Sequence, residues 1–254
     1  MKNPTLYLER MEKSTQEKLF FLEHLDLNDY DFIADFGCAN GHILRRLHNF
    51  IEKDDIELVG FDSNLEFLDN AKEVSPSSIN FTNSLYEIFP QEGQKSLIIF
   101  NSVFHEIANE NERWAIFRVM SEFDTIVIRD MIAPVTSNLP IDSTTRDRIA
   151  NRIPRWMFEE FEERWGRIDN KKKMYHLFLK YTYIENWETE LEEDYFSAPW
   201  GELYEKLVFE GNYEIAFERT YTLEYKKKMV EKDFNHSMND ITHRQIIYIR
   251  EAKL

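Results

Sequence analysis

Between Asp31 and Met131 short apolar runs alternate with stretches of helical spacing. Phe32–Phe36, Glu57–Phe61, Ser78–Phe81, Ser96–Phe100 and Thr125–Ile128 read as five strands. Gly41–Phe50, Asn64–Glu73, Leu85–Phe89 and Glu110–Phe123 lie between them and read as helices or helical turns. Strands this short, regularly interleaved with helical segments, predict right-handed βαβ units and a parallel sheet. Ahead of them, Ser14–Leu25 places Leu19, Phe20, Leu22 and Leu25 on one side of a helix, with Ser14 as N-cap and Glu17 three residues on, a capping-box pattern.

The texture changes after Pro134. Ala133–Arg155 holds three prolines, many Ser and Thr and no clear strand, and reads as a long connection of the kind that serves as a functional lid. Helical stretches follow at Pro154–Trp165 and Lys172–Trp187, both crowded with aromatics. Pro199–Phe209 reads as a helix ended by Gly211, and strands at Tyr213–Leu223 and Thr242–Arg250 suggest an antiparallel closing pair with an insertion, Glu224–Ile241. The fold class expected is α/β, a doubly wound, mainly parallel seven-stranded sheet with an antiparallel closing pair and a helical lid insertion. Its parts would be a cofactor-binding half at 1–134, the lid at 135–198, and a C-terminal helix and closing pair at 199–254.

Composition narrows the function. The 254 residues carry 31 Lys and Arg against 47 Asp and Glu, a net charge of −16, which disfavours broad electrostatic capture of nucleic acid while leaving room for a local basic patch. The longest apolar stretch, Ser96–Phe104, is interrupted by Asn101 and Ser102, and a membrane-spanning helix needs about 20 apolar residues, so no membrane partner is expected. Met1–Phe21 has no apolar core of a secretory signal, and the single cysteine, Cys38, cannot form an internal disulfide; a cytoplasmic chain is the expectation.

The densest chemical signal is Ile33-Ala34-Asp35-Phe36-Gly37-Cys38-Ala39-Asn40-Gly41-His42. Two of only seven glycines fall directly after a strand and directly before a helix. A tight turn there needs residues tolerant of positive φ, and a ligand lying on the backbone would leave no room for a Cβ. Asp62 ends the next strand 21 residues beyond Gly41, the spacing at which an acid can accept both hydroxyls of a bound ribose. A nicotinamide dinucleotide site is disfavoured, because the third glycine of G-x-G-x-x-G is missing.

The run is similar to the first motif of the class I S-adenosylmethionine-dependent methyltransferases, acid-x-Gly-x-Gly-x-Gly, matching at Asp35, Gly37 and Gly41 and departing at Ala39. The resemblance extends to Asp62 and to five parallel strands followed by a closing pair. It implies S-adenosyl-L-methionine as cofactor, with Asp35, Gly37, Cys38, Ala39 and Gly41 at its methionine portion and Asp62 at its ribose. Asn83 and Ser84 stand where the family often places an acid for the adenine amino group; an asparagine carbonyl can accept that bond, and an ordinary turn residue is the alternative. Asn101 and His105 lie in the run Asn101-Ser102-Val103-Phe104-His105-Glu106, where the family has its active-site floor. The Asn-Pro-Pro-aromatic run of enzymes that methylate exocyclic base amines is absent there.

His105 is the candidate general base for a hydroxyl, the alternative being that His105 and Glu106 simply open a helix. The expected activity is therefore methyl transfer to an unidentified acceptor, a hydroxyl of a small molecule or macromolecule rather than a base amine. A non-catalytic, methyltransferase-like partner subunit is the alternative. His42 and His48 are six apart, and no other His or acid spacing suggests a metal. The runs Lys171–Lys173 and Lys226–Lys228, with Arg146, Arg148, Arg152 and Arg155, read as solvated faces or as contacts to a phosphate-bearing substrate, and Glu188–Asp194 as solvent-facing.

Overall fold

The computed structural model describes residues 15–53, 55–107 and 109–251; the expected Ser14 cap lies outside them. Helix α1 (Thr15–Lys18) leads through short 3-10 turns to β1 (Phe32–Phe36), α2 (His42–His48), β2 (Glu57–Phe61), α3 (Leu65–Val74) and β3 (Ile79–Thr82). Then come β4 (Ser96–Asn101), α4 (Glu110–Met120) and β5 (Thr125–Met131). A helical stretch follows with α5 (Ser143–Ala150), α6 (Arg155–Trp165), α7 (Lys171–Tyr181) and α8 (Trp187–Glu192). The chain closes with α9 (Trp200–Tyr204), a π turn over Glu205–Glu210, β6 (Tyr213–Tyr221), α10 (Glu224–Phe234) and β7 (His243–Arg250).

The seven strands form one sheet in the order β3-β2-β1-β4-β5-β7-β6, with β1 to β5 mutually parallel and the β7–β6 end antiparallel. This is the sheet expected from the sequence. Strand order reverses at β1 and β4, and in an open parallel sheet the crevice outside the carboxyl ends at that reversal is where ligands bind.

The chain divides into two compact units. The first comprises the described residues up to Asp130, Ala198–Arg219 and those from Gln245 onward. Its strands are buried on both faces, and the two-residue period sorts their side chains into two cores. Ala34, Phe36, Ile98, Phe100, Ile126 and Ile128 pack on one face with Phe104 and Phe117; Ile33, Leu97, Ile99 and Val127 pack on the other with Phe20, Phe21 and Leu44.

The second unit, Met131–Ser197 with Thr220–Arg244, is helical and has its own core of Met157, Phe161, Tyr175, Phe178, Val230 and Phe234. Most of the aromatics of this region are core, although Trp156 is half exposed. The stretch expected to be an irregular connection contains α5, capped by Asp142, whose carboxylate accepts the Thr145 N–H at 2.6 Å. The helix expected over Lys172–Trp187 stops at Tyr181 and resumes at Trp187.

Glu188–Asp194 does not simply face solvent. Glu190 is buried and accepts the Tyr195 hydroxyl, while the Lys180 ammonium donates to the Glu190 and Glu193 carbonyls and lies 4.2 Å from the Tyr195 ring centre. Burial lowers the Lys180 amine to about 8. Some of the basic charge is paired within the chain: Lys171 reaches Asp240 at 3.0 Å, Arg146 pairs with Glu162, Lys226 is buried 4.8 Å from the Tyr183 ring centre, and Arg155 pairs with Glu159 on the surface.

The turn after β1 meets one sequence expectation and changes the reason for another. Gly37 and Gly41 have φ of +75° and +72°. What excludes a Cβ is the protein itself: one on Gly37 would lie 2.6 Å from Val103 Cγ2, and one on Gly41 2.5 Å from the Phe81 ring. Ala39, where the motif has glycine, is held at φ +46°. A left-handed residue with a Cβ costs about 1–2 kcal/mol. Ala39→Gly is therefore expected to stabilise the protein by about 0.5–1 kcal/mol in urea unfolding, the gain being partly offset by the more flexible unfolded chain. An unchanged or lower midpoint would show that the turn carries no such strain.

Candidate functional site

All the candidate cofactor-binding and catalytic residues lie on the carboxyl-end loops or terminal residues of β1 to β4. The loop after β1 is tied to β2 by its backbone, since the Gly37 and Cys38 N–H groups donate to the Phe61 carbonyl at 2.8 and 2.9 Å. Asp62 extends the tie. Its Oδ2 accepts the Ala39 N–H and its Oδ1 the Asn64 N–H, each at 2.8 Å. A carboxylate has roughly four lone-pair directions, so two remain for a ligand. Asp62 N–H donates to the Thr82 carbonyl at 3.2 Å, which brings Asn83 and Ser84 alongside. Asn83 is exposed, and the Ser84 N–H is engaged by Thr82 Oγ1 at 2.9 Å.

Cys38 faces inward. Its thiol is buried, its Sγ would lie 2.8 Å from a Cβ on Gly60, and burial together with the Asp35 and Asp62 charges pushes its pKa well above the usual thiol range. The side chain is core, and the Cys38 carbonyl accepts the Gly41 N–H at 2.8 Å.

Two polar groups sit at the carboxyl edge of the sheet, one on each face. On the face that carries Ile33, Ile99 and Val127, the next inward positions are Asp35 on β1, Asn101 on β4 and Arg129 on β5. Asn101 pairs in register with Arg129, whose guanidinium donates to Ser102 Oγ. Ser102 itself sits at φ +62°. Lys18, at the end of α1, is buried close enough to feel both Arg129 and Asp35. Burial, and then the Arg129 charge, lowers its amine to about 8. Burial raises the Asp35 carboxyl to about 7 against the attraction of Lys18, with Asp62 adding to the rise.

The opposite face carries Asp130, fully buried. Its Oδ1 lies 2.8 Å from His105 Nδ1, and its Oδ2 accepts the Phe104 N–H at 2.8 Å and the His105 N–H at 3.3 Å. His105 and Glu106 belong to a 3-10 turn, Phe104–Glu106, and the helix that follows begins only at Glu110. With Nδ1 engaged by the carboxylate, His105 Nε2 is the ring nitrogen on the far side, 3.9 Å from Glu106 Oε1.

Lys18, Arg129 and Asp130 were not singled out in the sequence. Arg129 and Asp130 follow the apolar run Thr125–Ile128, whose end was placed three residues short of the observed strand. Two charges at the carboxyl end of a parallel strand were the available signal.

No family model matches the sequence, and no curated protein matches it. Solved structures do. An S-adenosylmethionine-dependent methyltransferase from Mesorhizobium loti has 13% identity, with 91% of this chain and 96% of that one covered, at a TM-score of 0.55. The MccD protein has 9% identity, with 94% and 97% covered, at a TM-score of 0.51. At such identities the likeness is one of fold, and the chain has the class I methyltransferase fold. Among the described residues no helix is long and apolar enough to cross a membrane.

The Asp35 pKa has a consequence for stability. An acid with a folded pKa near 7 and an ordinary value of 3.8 holds its proton longer in the folded state. Its contribution to stability is thus intact below the unfolded value and declines as pH rises from about 4 to about 7. The Lys18 amine, lowered to about 8, acts only above that window. Between about pH 5 and pH 7.5 the urea midpoint of Asp35→Asn should fall less than that of the wild type, by roughly 2 kcal/mol in unfolding free energy. Parallel curves for the two proteins would show that Asp35 titrates normally.

Proposed function

We propose that this protein is an S-adenosyl-L-methionine-dependent methyltransferase acting on a hydroxyl of a small molecule or macromolecule. The observation that carries the reading is the His105–Asp130 pair at the carboxyl edge of the same sheet whose β1 loop and Asp62 have the methyltransferase pattern. The residues present suit the cofactor. Asp35 Oδ2 and both amide atoms of Asn101 are buried without a hydrogen-bond partner, and buried polar atoms left so are rare unless a ligand or water completes them. Asp62 keeps acceptor capacity for two ribose hydroxyls. The cofactor would supply an activated methyl group on a sulfonium, leaving the protein chiefly to align donor and acceptor and to manage one proton.

The protein's share of that chemistry falls to His105. Asp130 accepts from Nδ1–H and so keeps Nε2 as the unprotonated nitrogen, where it would take the proton of an acceptor hydroxyl. The buried carboxylate also stabilises the imidazolium that results. Asp130 is anchored by two backbone N–H groups, so it orients the ring without swinging away. Net charge and the residues after Asn101 both point away from base amines of nucleic acid.

Calorimetry with S-adenosylmethionine, S-adenosylhomocysteine and NAD tests the cofactor. Micromolar binding of the two sulfur nucleosides and none of NAD is expected, with Asp62→Ala weakening S-adenosylhomocysteine more than about tenfold, or about 1.4 kcal/mol, in a protein that still folds. Equal affinity in the variant would remove the ribose assignment. For the base, transfer of a labelled methyl group into a pool of hydroxylated small molecules should fall about 10²–10⁴-fold in His105→Gln, and substantially in Asp130→Asn, with nucleoside binding preserved. Undiminished transfer in His105→Gln would leave the histidine a structural role.

A further inference from the structure

Resting on the reading of His105 as the base, we propose that Ser102 is a positioning residue: its hydroxyl, clasped by the Arg129 guanidinium, holds the left-handed turn that carries the His105 ring to Asp130. β4 is buried through Asn101, and the chain must leave it abruptly for the Phe104 and His105 N–H groups to meet the Asp130 carboxylate on the neighbouring strand. Ser102 makes that change of direction, at φ +62°. A residue with a Cβ is disfavoured there, and such a conformation persists where its surroundings over-determine it.

The surroundings are two bonds to a single residue. The Ser102 N–H donates to the Arg129 carbonyl at 2.7 Å, and the Arg129 guanidinium donates back to Ser102 Oγ. The backbone bond is open to any residue but proline; the second belongs to the hydroxyl. Arg129 is 4% exposed, so this is a charge-assisted bond in a setting of low dielectric. On the β1 side the turn is bounded by packing, since Val103 Cγ2 would lie 2.6 Å from a Cβ on Gly37. Beyond it Phe104 is fully buried, its ring centre 5.0 Å from that of Phe100. Consecutive residues of β5 thus hold one loop at both ends, Arg129 at Ser102 and Asp130 at His105. Ser102 acts through His105 rather than on the acceptor. A base has to meet its proton within hydrogen-bond reach, and a misplacement of about 1 Å can cost about 10²-fold in rate.

Three variants test the role. Ser102→Ala removes the oxygen and keeps the Cβ; Ser102→Gly removes the oxygen and frees the turn; Ser102→Asn tolerates the left-handed region and carries a carbonyl acceptor. With saturating S-adenosylmethionine and a pool of hydroxylated small molecules, transfer of labelled methyl should fall about tenfold or more in Ser102→Ala and Ser102→Gly and stay within about threefold in Ser102→Asn. S-adenosylhomocysteine affinity should stay within about twofold in all three, which certifies the fold. A second readout needs no acceptor: solvent exchange of the His105 Nδ1–H, followed by proton NMR and assigned by its loss in His105→Gln. It should quicken at least about tenfold in Ser102→Ala and Ser102→Gly and hold in Ser102→Asn.

Unchanged exchange in Ser102→Ala, full transfer in Ser102→Gly, or a Ser102→Asn protein as impaired as the other two overturns the role of the hydroxyl. A wild type without the Nδ1–H resonance has no ordered pair for Ser102 to hold, and overturns it as well. A wild type that binds no nucleoside and transfers no methyl overturns the methyltransferase reading instead, and the exchange rates then still decide whether Ser102 holds His105.

Discussion

The site depends on the two-residue period of β5 at its carboxyl end. Thr125 to Ile128 alternate between two hydrophobic cores, and the alternation continues through Arg129 and Asp130 without interruption. Consecutive opposite charges are thereby delivered to opposite faces of one sheet. Arg129 joins Lys18, Asp35 and Asn101 on one side; Asp130 holds His105 on the other. A slip of one residue in β5 would exchange them, and the apolar residues that precede them would be turned out of their cores at the same time. Register in the core and placement of the charges are thus a single constraint.

Much of the architecture was legible because the apolar runs of β1 to β4 and their spacing leave little choice of sheet. The loop from Asp35 to Gly41 and the acid at Asp62 were legible for a related reason, since positive φ and strand-end acids leave a residue-type signature. What the sequence misjudged was the cause of the glycines: Val103 and Phe81, distant in the chain, fill the space a ligand was expected to need. The ends of elements were harder to see. β5 runs through Met131 because Arg129 and Asp130 find polar partners in the folded chain, and no local pattern announces those partners.

The helical unit was misread where charge was taken as a mark of solvent. Lys180, Glu190 and Lys226 are buried, each with a polar or aromatic partner supplied by another turn of the chain. The Glu190 and Glu193 carbonyls at the end of α8 take the Lys180 ammonium, so a buried lysine completes a helix terminus. Charge runs in sequence report where polar side chains are, and only tertiary partners decide which of them stay in water.

Burying Lys18 and Asp35 together is costly in the absence of a ligand, as their opposed shifts toward neutrality indicate. Replacing such a pair by apolar residues often stabilises a fold. The hydrophobic layers beneath the carboxyl edge of β1, β4 and β5 are continuous enough to carry the expense, with Ile33, Leu97, Ile99 and Val127 all but fully enclosed. Cost at the strand ends and surplus in the strand centres therefore belong to one design: the sheet buries apolar residues up to the position before each polar one, and seats the polar ones at its carboxyl edge.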